Sequence, residues 1–279
     1  MKGSFVLDKE KNTESKINSL APFFFTVIFA VISAMLQTMT VLFSYESVAQ
    51  VYKRGSALSV LSVVLMLAMC VAVSVMWKVQ MKKSRTVSTG KNSYLSSLFG
   101  ACSGLLVIIS SIILYIEGSS KLNAQGAQTI KTISTLLMVT SLPCGAYLFI
   151  SGIKKRLEKL LSILGFFPVI WTVICLLRIY FDNYSVINDP IRKILQISFA
   201  ALMLAFLYEY MINMLGEGGV YYVVSTSVAV ILGTASSISQ MLLYFITKTV
   251  SAGEALLGIS QMILCFYLII KLYYNTAKN

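Results

Sequence analysis

Histidine is absent from the 279 residues, only 11 residues are acidic and four are proline. Each shortage removes chemistry. Without histidine the chain cannot build an HExxH zinc site, a Ser-His dyad that would activate Ser103 or any other serine, or a haem site with imidazole ligands. The sequence also lacks a GxGD motif, a pair of aspartates within its apolar runs, and a glycine-rich phosphate cradle; the glycine-rich stretch Gly216 to Gly219 reads as a tight turn. The expectation is a protein that is not an enzyme and binds no cofactor or metal. Charged residues make up 12% of the chain, where soluble domains carry about 25%. A chain this poor in charge cannot cover its surface in water.

What is abundant is apolar sequence: 57% of residues are hydrophobic, and the mean hydropathy is +0.80. A membrane-spanning helix needs ~20 predominantly apolar residues. Eight stretches qualify: Ser19–Tyr45, Ala57–Trp77, Tyr94–Ile116, Thr132–Ile153, Leu160–Phe181, Ile194–Leu215, Val220–Thr247 and Ala255–Tyr274. They predict an all-α, polytopic helical bundle, one transmembrane domain over residues 19–274 between short tails at 1–18 and 275–279. The first stretch outruns the ~10-residue core of a signal peptide, and Asp8, Glu10 and Glu14 interrupt the basic region such a peptide would have. All connecting segments are short, which excludes an appended soluble domain. The first and last four spans show no convincing internal repeat.

Lysine and arginine set the orientation, because basic loops are retained in the cytoplasm. With both tails inside, fifteen of the 23 basic residues fall on the inner side and seven on the outer, with Arg178 inside the fifth span. The dense clusters Lys78 to Lys91 and Lys154 to Lys159 then share the cytoplasmic face. The same distribution accounts for the net charge of +12, through loops lying against anionic headgroups; nucleic-acid binding is not expected. Trp77, Tyr94, Tyr208, Tyr221, Tyr222, Tyr273 and Tyr274 at inner ends, and Tyr45, Tyr115, Tyr180 and Tyr244 at outer ends, read as interfacial belts.

Few polar groups lie inside the spans, and those few are the candidate site. Glu209 stands on a four-residue stripe with Ala201, Ala205 and Asn213, which predicts that the stripe faces the bundle. Its environment is expected to be either a cation or proton site or a partner for a charged substrate, or an inner interface close enough to reach headgroup water or a cytoplasmic lysine. Gln37, Gln240 and Gln261 add three amides, the first two on stripes of small and hydroxylated residues that favour close helix approach. A hydrated cavity lined by spans one, six and seven is the expected pocket. Arg178, with Asp182 four residues later, predicts an ion pair at an outer helix end. Gly100 and Gly104 form a GxxxG expected to pack within the molecule, and the five cysteines, one to a span, read as small core residues.

These features predict a transporter of a small solute or ion, or the membrane subunit of one, in a bacterial plasma membrane. The alternative is a non-transporting sensor, assembly or scaffold protein whose inner lysines Lys82, Lys83, Lys154 and Lys155 contact a membrane partner. The lipid bilayer is the constant partner in both readings. The orientation is directly testable: green fluorescent protein fused after Asn279 should fluoresce, and alkaline phosphatase fused at the same point should stay inactive. The reverse pattern would invert the assignment of every loop.

Overall fold

The computed structural model describes residues 3–46, 51–52, 56–83, 94–120, 127–153, 162–182, 190–215, 219–248 and 250–276. Eight long helices account for nearly all of them. They are α1 (Gly3–Ser44), α2 (Ala57–Lys83), α3 (Tyr94–Ser120), α4 (Ala127–Ile153), α5 (Phe167–Asp182), α6 (Pro190–Leu215), α7 (Gly219–Leu242) and α8 (Ala252–Thr276). A 3₁₀ turn, Leu164–Phe166, leads into α5, and a π turn, Leu243–Thr247, extends α7. Two-residue strands β1 (Tyr45–Glu46) and β2 (Val51–Tyr52) pair antiparallel after α1, with Tyr45 opposite Tyr52. All eight helices are long and apolar enough to cross a membrane, and the protein is a polytopic helical bundle. α1 continues back to Gly3, so the backbone of the expected N-terminal tail is helical and continuous with the first span.

Helices are the natural solution because backbone amides in lipid have no water to bond and must be satisfied within the segment. Proline falls where this costs little at two points: Pro190 opens α6 and Pro168 is the second residue of α5. An even number of spans puts the first end of α1 and the last end of α8 on one face, called inner here from the lysine count.

α7 is the centre. Ser225, Ser227, Ala229, Gly233, Ala235, Ser236, Ser237 and Ser239 are all buried, and small side chains on every side let neighbours approach all round. α1, α2, α6 and α8 pack on it. From α8 the contacts run to α3, from α3 to α4, from α4 to α5 and from α5 back to α6. α3 to α8 therefore form a closed ring, and α1 and α2 are a pair applied to the outside of α7.

The tightest seam in the ring is α3 against α4. A Cβ placed on Gly104 would sit 2.5 Å from the Gly145 carbonyl oxygen, and one on Gly145 would sit 2.7 Å from that of Gly104. Gly100 meets the Leu148 carbonyl oxygen at 2.9 Å in the same way. The GxxxG of α3 is thus used inside the molecule.

Two sequence expectations are corrected by burial. Trp77 and Tyr222, assigned to the inner aromatic belt, are only 1% and 2% exposed and belong to the core, whereas Tyr94, Tyr180 and Tyr221 are exposed. Both residues point inward because their helix phase, and not their depth, decides which side they face. Similarly, Cys70, Cys144, Cys175 and Cys265 are buried, but Cys102 is exposed, since the next two positions of the helix, Ser103 and Gly104, take the buried side.

Replacing Gly104 by Ala should destabilise the protein by about 1–3 kcal/mol, read as a lower Tm in detergent with no change in oligomeric state. Leu105→Ala, on the exposed side of the same helix, should change stability by less than ~0.5 kcal/mol. Equal effects of the two would show that the α3–α4 approach is not what the seam depends on.

Candidate functional site

The stripe on α6 fixes the position of Glu209. Ala201, Ala205 and Glu209 are buried, and so are Leu202 and Phe206, which makes the inward face of α6 wider than the stripe alone. Glu209 is 5% exposed and lies six residues before Leu215 at the inner end, about 9 Å along the axis.

Its partner is on α8. Lys271 Nζ donates to Glu209 Oε1, with the lysine and glutamate side chains 15% and 6% exposed. Tyr147 of α4 donates its hydroxyl to the same carboxylate oxygen at 3.0 Å, and Asn213 Nδ2 lies 3.4 Å from Tyr147 Oη. Lys271 Nζ also stands 4.8 Å from the centroid of the Tyr267 ring, whose hydroxyl is 2.6 Å from Ser151 Oγ. Tyr222 of α7 lies within electrostatic reach of both charges. One glutamate on α6 is therefore met by α4 and α8, inside the ring and near its inner end.

The charge distribution within that cluster is lopsided. Oε1 accepts from both Lys271 and Tyr147, while Oε2 is buried and has no hydrogen-bond partner among the described residues. Tyr222 Oη and Thr226 Oγ1, one turn apart on α7, face each other without reaching normal hydrogen-bond geometry. Buried polar groups are nearly always bonded, so a buried carboxylate oxygen without a partner marks a place where something polar is accommodated.

The amides fall elsewhere. Gln261 Nε2 donates to Ser198 Oγ at 2.8 Å, and Ser236 Oγ lies 3.1 Å from Gln261 Oε1 and 3.0 Å from Ser198 Oγ, joining α6, α7 and α8 near mid-bundle. Ser198 is eleven residues from Glu209 on α6, ~16 Å along the axis, so the triangle and the ion pair are separate. Gln37 bonds across to α7, accepting from Ser239 Oγ at 3.3 Å, with its Nε2 3.8 Å from Met66 Sδ of α2. Gln240 is buried where α7 meets Gly258 of α8. Of the five residues expected to share one site, only Glu209 and Asn213 are brought together.

The pocket expected from spans one, six and seven takes a different form. α1 packs on α7 and α2, with Thr234 Oγ1 3.4 Å from the Ala30 carbonyl oxygen, and the polar interior lies within α3 to α8. What α1, α7 and α8 do share is an apolar groove of about 510 Å³, lined by Val31, Met35, Met39, Met262 and Phe266 among others. Several of these are exposed, so the groove opens on the lipid-facing side.

At the outer end, Arg178 is 6% exposed and turns into the bundle. Its Nη1 donates to Ser134 Oγ of α4 at 2.8 Å and to the Leu114 carbonyl oxygen of α3 at 3.2 Å. The side chain of Asp182, its expected partner, lies outside the described residues. Nearby, Glu117 accepts from Ser251 Oγ at 2.8 Å and from Gly253 N at 2.9 Å, fastening the start of α8 to α3.

Sequence reasoning did not assign Lys271, Tyr147, Tyr222 or Tyr267 to a site. Lys271 was visible as a lysine inside the end of an apolar run, four residues after Tyr267 on one face. A cytoplasmic lysine was one of the environments expected for Glu209, and nothing in the sequence singled out Lys271 as that lysine.

This is a multi-pass membrane protein with a buried ion pair set in tyrosine. Comparison of the chain with protein families, curated proteins and solved structures finds no match.

Removing one member of a buried pair strands the other, typically at a cost of ~3–5 kcal/mol. Glu209→Gln and Lys271→Met should each destabilise the protein by that order, while the double variant E209Q/K271M should lose much less than the sum. A double-mutant cycle on thermal or denaturant unfolding measures this; additive losses would mean that the two groups are not coupled.

Proposed function

We propose that the protein is a non-enzymatic carrier of a small solute, or the membrane subunit of one, in a bacterial plasma membrane, with Glu209 and Lys271 as the charged pair that opens and closes during transport. One observation carries this reading. Glu209 is buried inside a span with Lys271 and Tyr147 on one carboxylate oxygen and no partner among the described residues on the other.

A pair kept only for architecture is poorly explained by its energetics. Taking two charges out of water costs as much as their attraction returns, and apolar replacements of similar volume are often as stable or more so. Ionisable groups within spans are costly and tend to mark substrate, ion or proton pathways. Here the pair sits inside the α3 to α8 ring and close to the inner face, where Lys271 retains partial exposure. Further outward in the ring, the Ser198–Ser236–Gln261 triangle and Arg178 are separate buried polar groups. Charged and polar groups that face inward at several depths suit passage better than docking of a partner on the outside of the bundle.

The test is transport by the purified protein in liposomes, followed as currents on a solid-supported membrane during concentration jumps of amino acids, amines, carboxylates and inorganic ions. The wild type should respond to one solute class, and E209Q/K271M, which keeps side chains of similar size and removes both charges, should not. A response that survives in the double variant, or none to any solute, counts against the carrier reading.

A further inference from the structure

We propose that the Glu209–Lys271 pair recognises a small zwitterion, a molecule with an ammonium and an anionic group close together, which binds by separating the pair and matching each half with its own opposite charge. This rests on the carrier reading and names the substrate class for the same site.

The charge balance points to that class. As built, the pair is neutral and sealed from most water, with Lys271 at 15% and Glu209 at 6% exposure. A lone cation that engaged Glu209 would leave the Lys271 ammonium bare, and a lone anion on Lys271 would leave the carboxylate bare. Either stranded charge carries a heavy desolvation cost. A neutral polar solute supplies hydrogen bonds but no countercharge. A zwitterion replaces both partners at once and leaves the site as neutral as it found it.

The surrounding groups divide the pair into a fixed and a moving half. Glu209 has a short side chain held by Tyr147, itself within reach of Asn213. Lys271 has a long flexible stem and the greater exposure. Lysine is the half that swings, and Glu209 stays to receive the ligand's ammonium. Its orphan Oε2 is the acceptor in waiting. The face of Tyr267, which already carries the Lys271 ammonium at 4.8 Å, suits an organic ammonium equally. The ligand's anionic group then follows Lys271 Nζ, with the Tyr222 hydroxyl, which has no normal hydrogen bond of its own, as a second donor.

The same chemistry has two sources: a soluble aminocarboxylate from the cytoplasm, or the phosphoethanolamine headgroup of an inner-leaflet lipid. The experiment separates them. Full-length protein in nanodiscs of phosphatidylglycerol alone is melted with glycine, alanine or glycine betaine, with methylammonium, and with acetate, and the melts are repeated in discs containing phosphatidylethanolamine. We expect at least one soluble zwitterion to raise the Tm in a saturable way, with no response to methylammonium or acetate singly. The response should vanish in E209Q/K271M. Tyr222→Phe should leave the unliganded Tm almost unchanged and weaken binding several-fold. Stabilisation by phosphatidylethanolamine alone, lost in the double variant, would also support zwitterion recognition and assign the headgroup as its source. The inference is overturned if methylammonium or acetate alone stabilises as well as a zwitterion, if the zwitterion response survives in E209Q/K271M, or if nothing stabilises. A Glu209-dependent current with a singly charged solute would overturn the substrate class while leaving the carrier reading intact.

Discussion

Helices inside a bilayer gain little from hiding apolar surface from one another, because lipid is as apolar as leucine; they associate where backbones can come close and polar side chains can bond across. α7 meets that constraint on all sides. Its serines, alanines and Gly233 are buried around the whole circumference, and a Cβ on Gly233 would stand only 2.5 Å from Cys265 Sγ of α8. Because α7 accepts α6 and α8 at once, residues distant in sequence meet beside it. Glu209 and Lys271 are the consequence at the inner end, and the Ser198–Ser236–Gln261 triangle is the consequence further along.

The ring closes by a second use of the same principle. Gly100, Gly104, Gly145 and Gly152 let α3 and α4 approach until a methyl group on any of them would press on the facing backbone. That approach brings Tyr147 and Ser151 of α4 towards the ring interior, where Tyr147 meets Glu209 and Ser151 meets Tyr267. Trp171 Nε1 of α5 donates to Ser111 Oγ of α3 at 3.2 Å and ties the opposite side of the ring. The buried polar groups are therefore arranged in separate layers, and only the innermost contains both signs of charge together with an unbonded carboxylate oxygen among the described residues.

The contrast between Glu209 and Gln37 shows how far the sequence could be read. Both lie on stripes of small residues, and both stripes do face protein. Periodicity specifies a face of one helix and leaves open which helix covers it. Gln37 turned out to face Ser239 outside the ring and Glu209 to face Lys271 inside it, so a pocket drawn from spans one, six and seven united residues that α7 keeps apart. Tyr222 and Trp77 illustrate the same gap at a single position: depth suggested an interfacial belt, and helix phase put both in the core.

What the sequence determined by itself was the all-helical, eight-span architecture, the expected sidedness, and the cost of placing Glu209 within a span. Those follow from local properties: run length against bilayer thickness, lysine against the cytoplasmic face, and one acid among apolar neighbours. The tertiary structure decided that the counter-ion is Lys271, that Tyr147 of α4 shares the Glu209 carboxylate oxygen while the Tyr267 ring of α8 lies under the Lys271 ammonium, and that the other carboxylate oxygen has no partner among the described residues. Those depend on which helices α7 and the α3–α4 glycine seam hold together, and such pairings are set by shape across the bundle, which no single stretch of sequence contains.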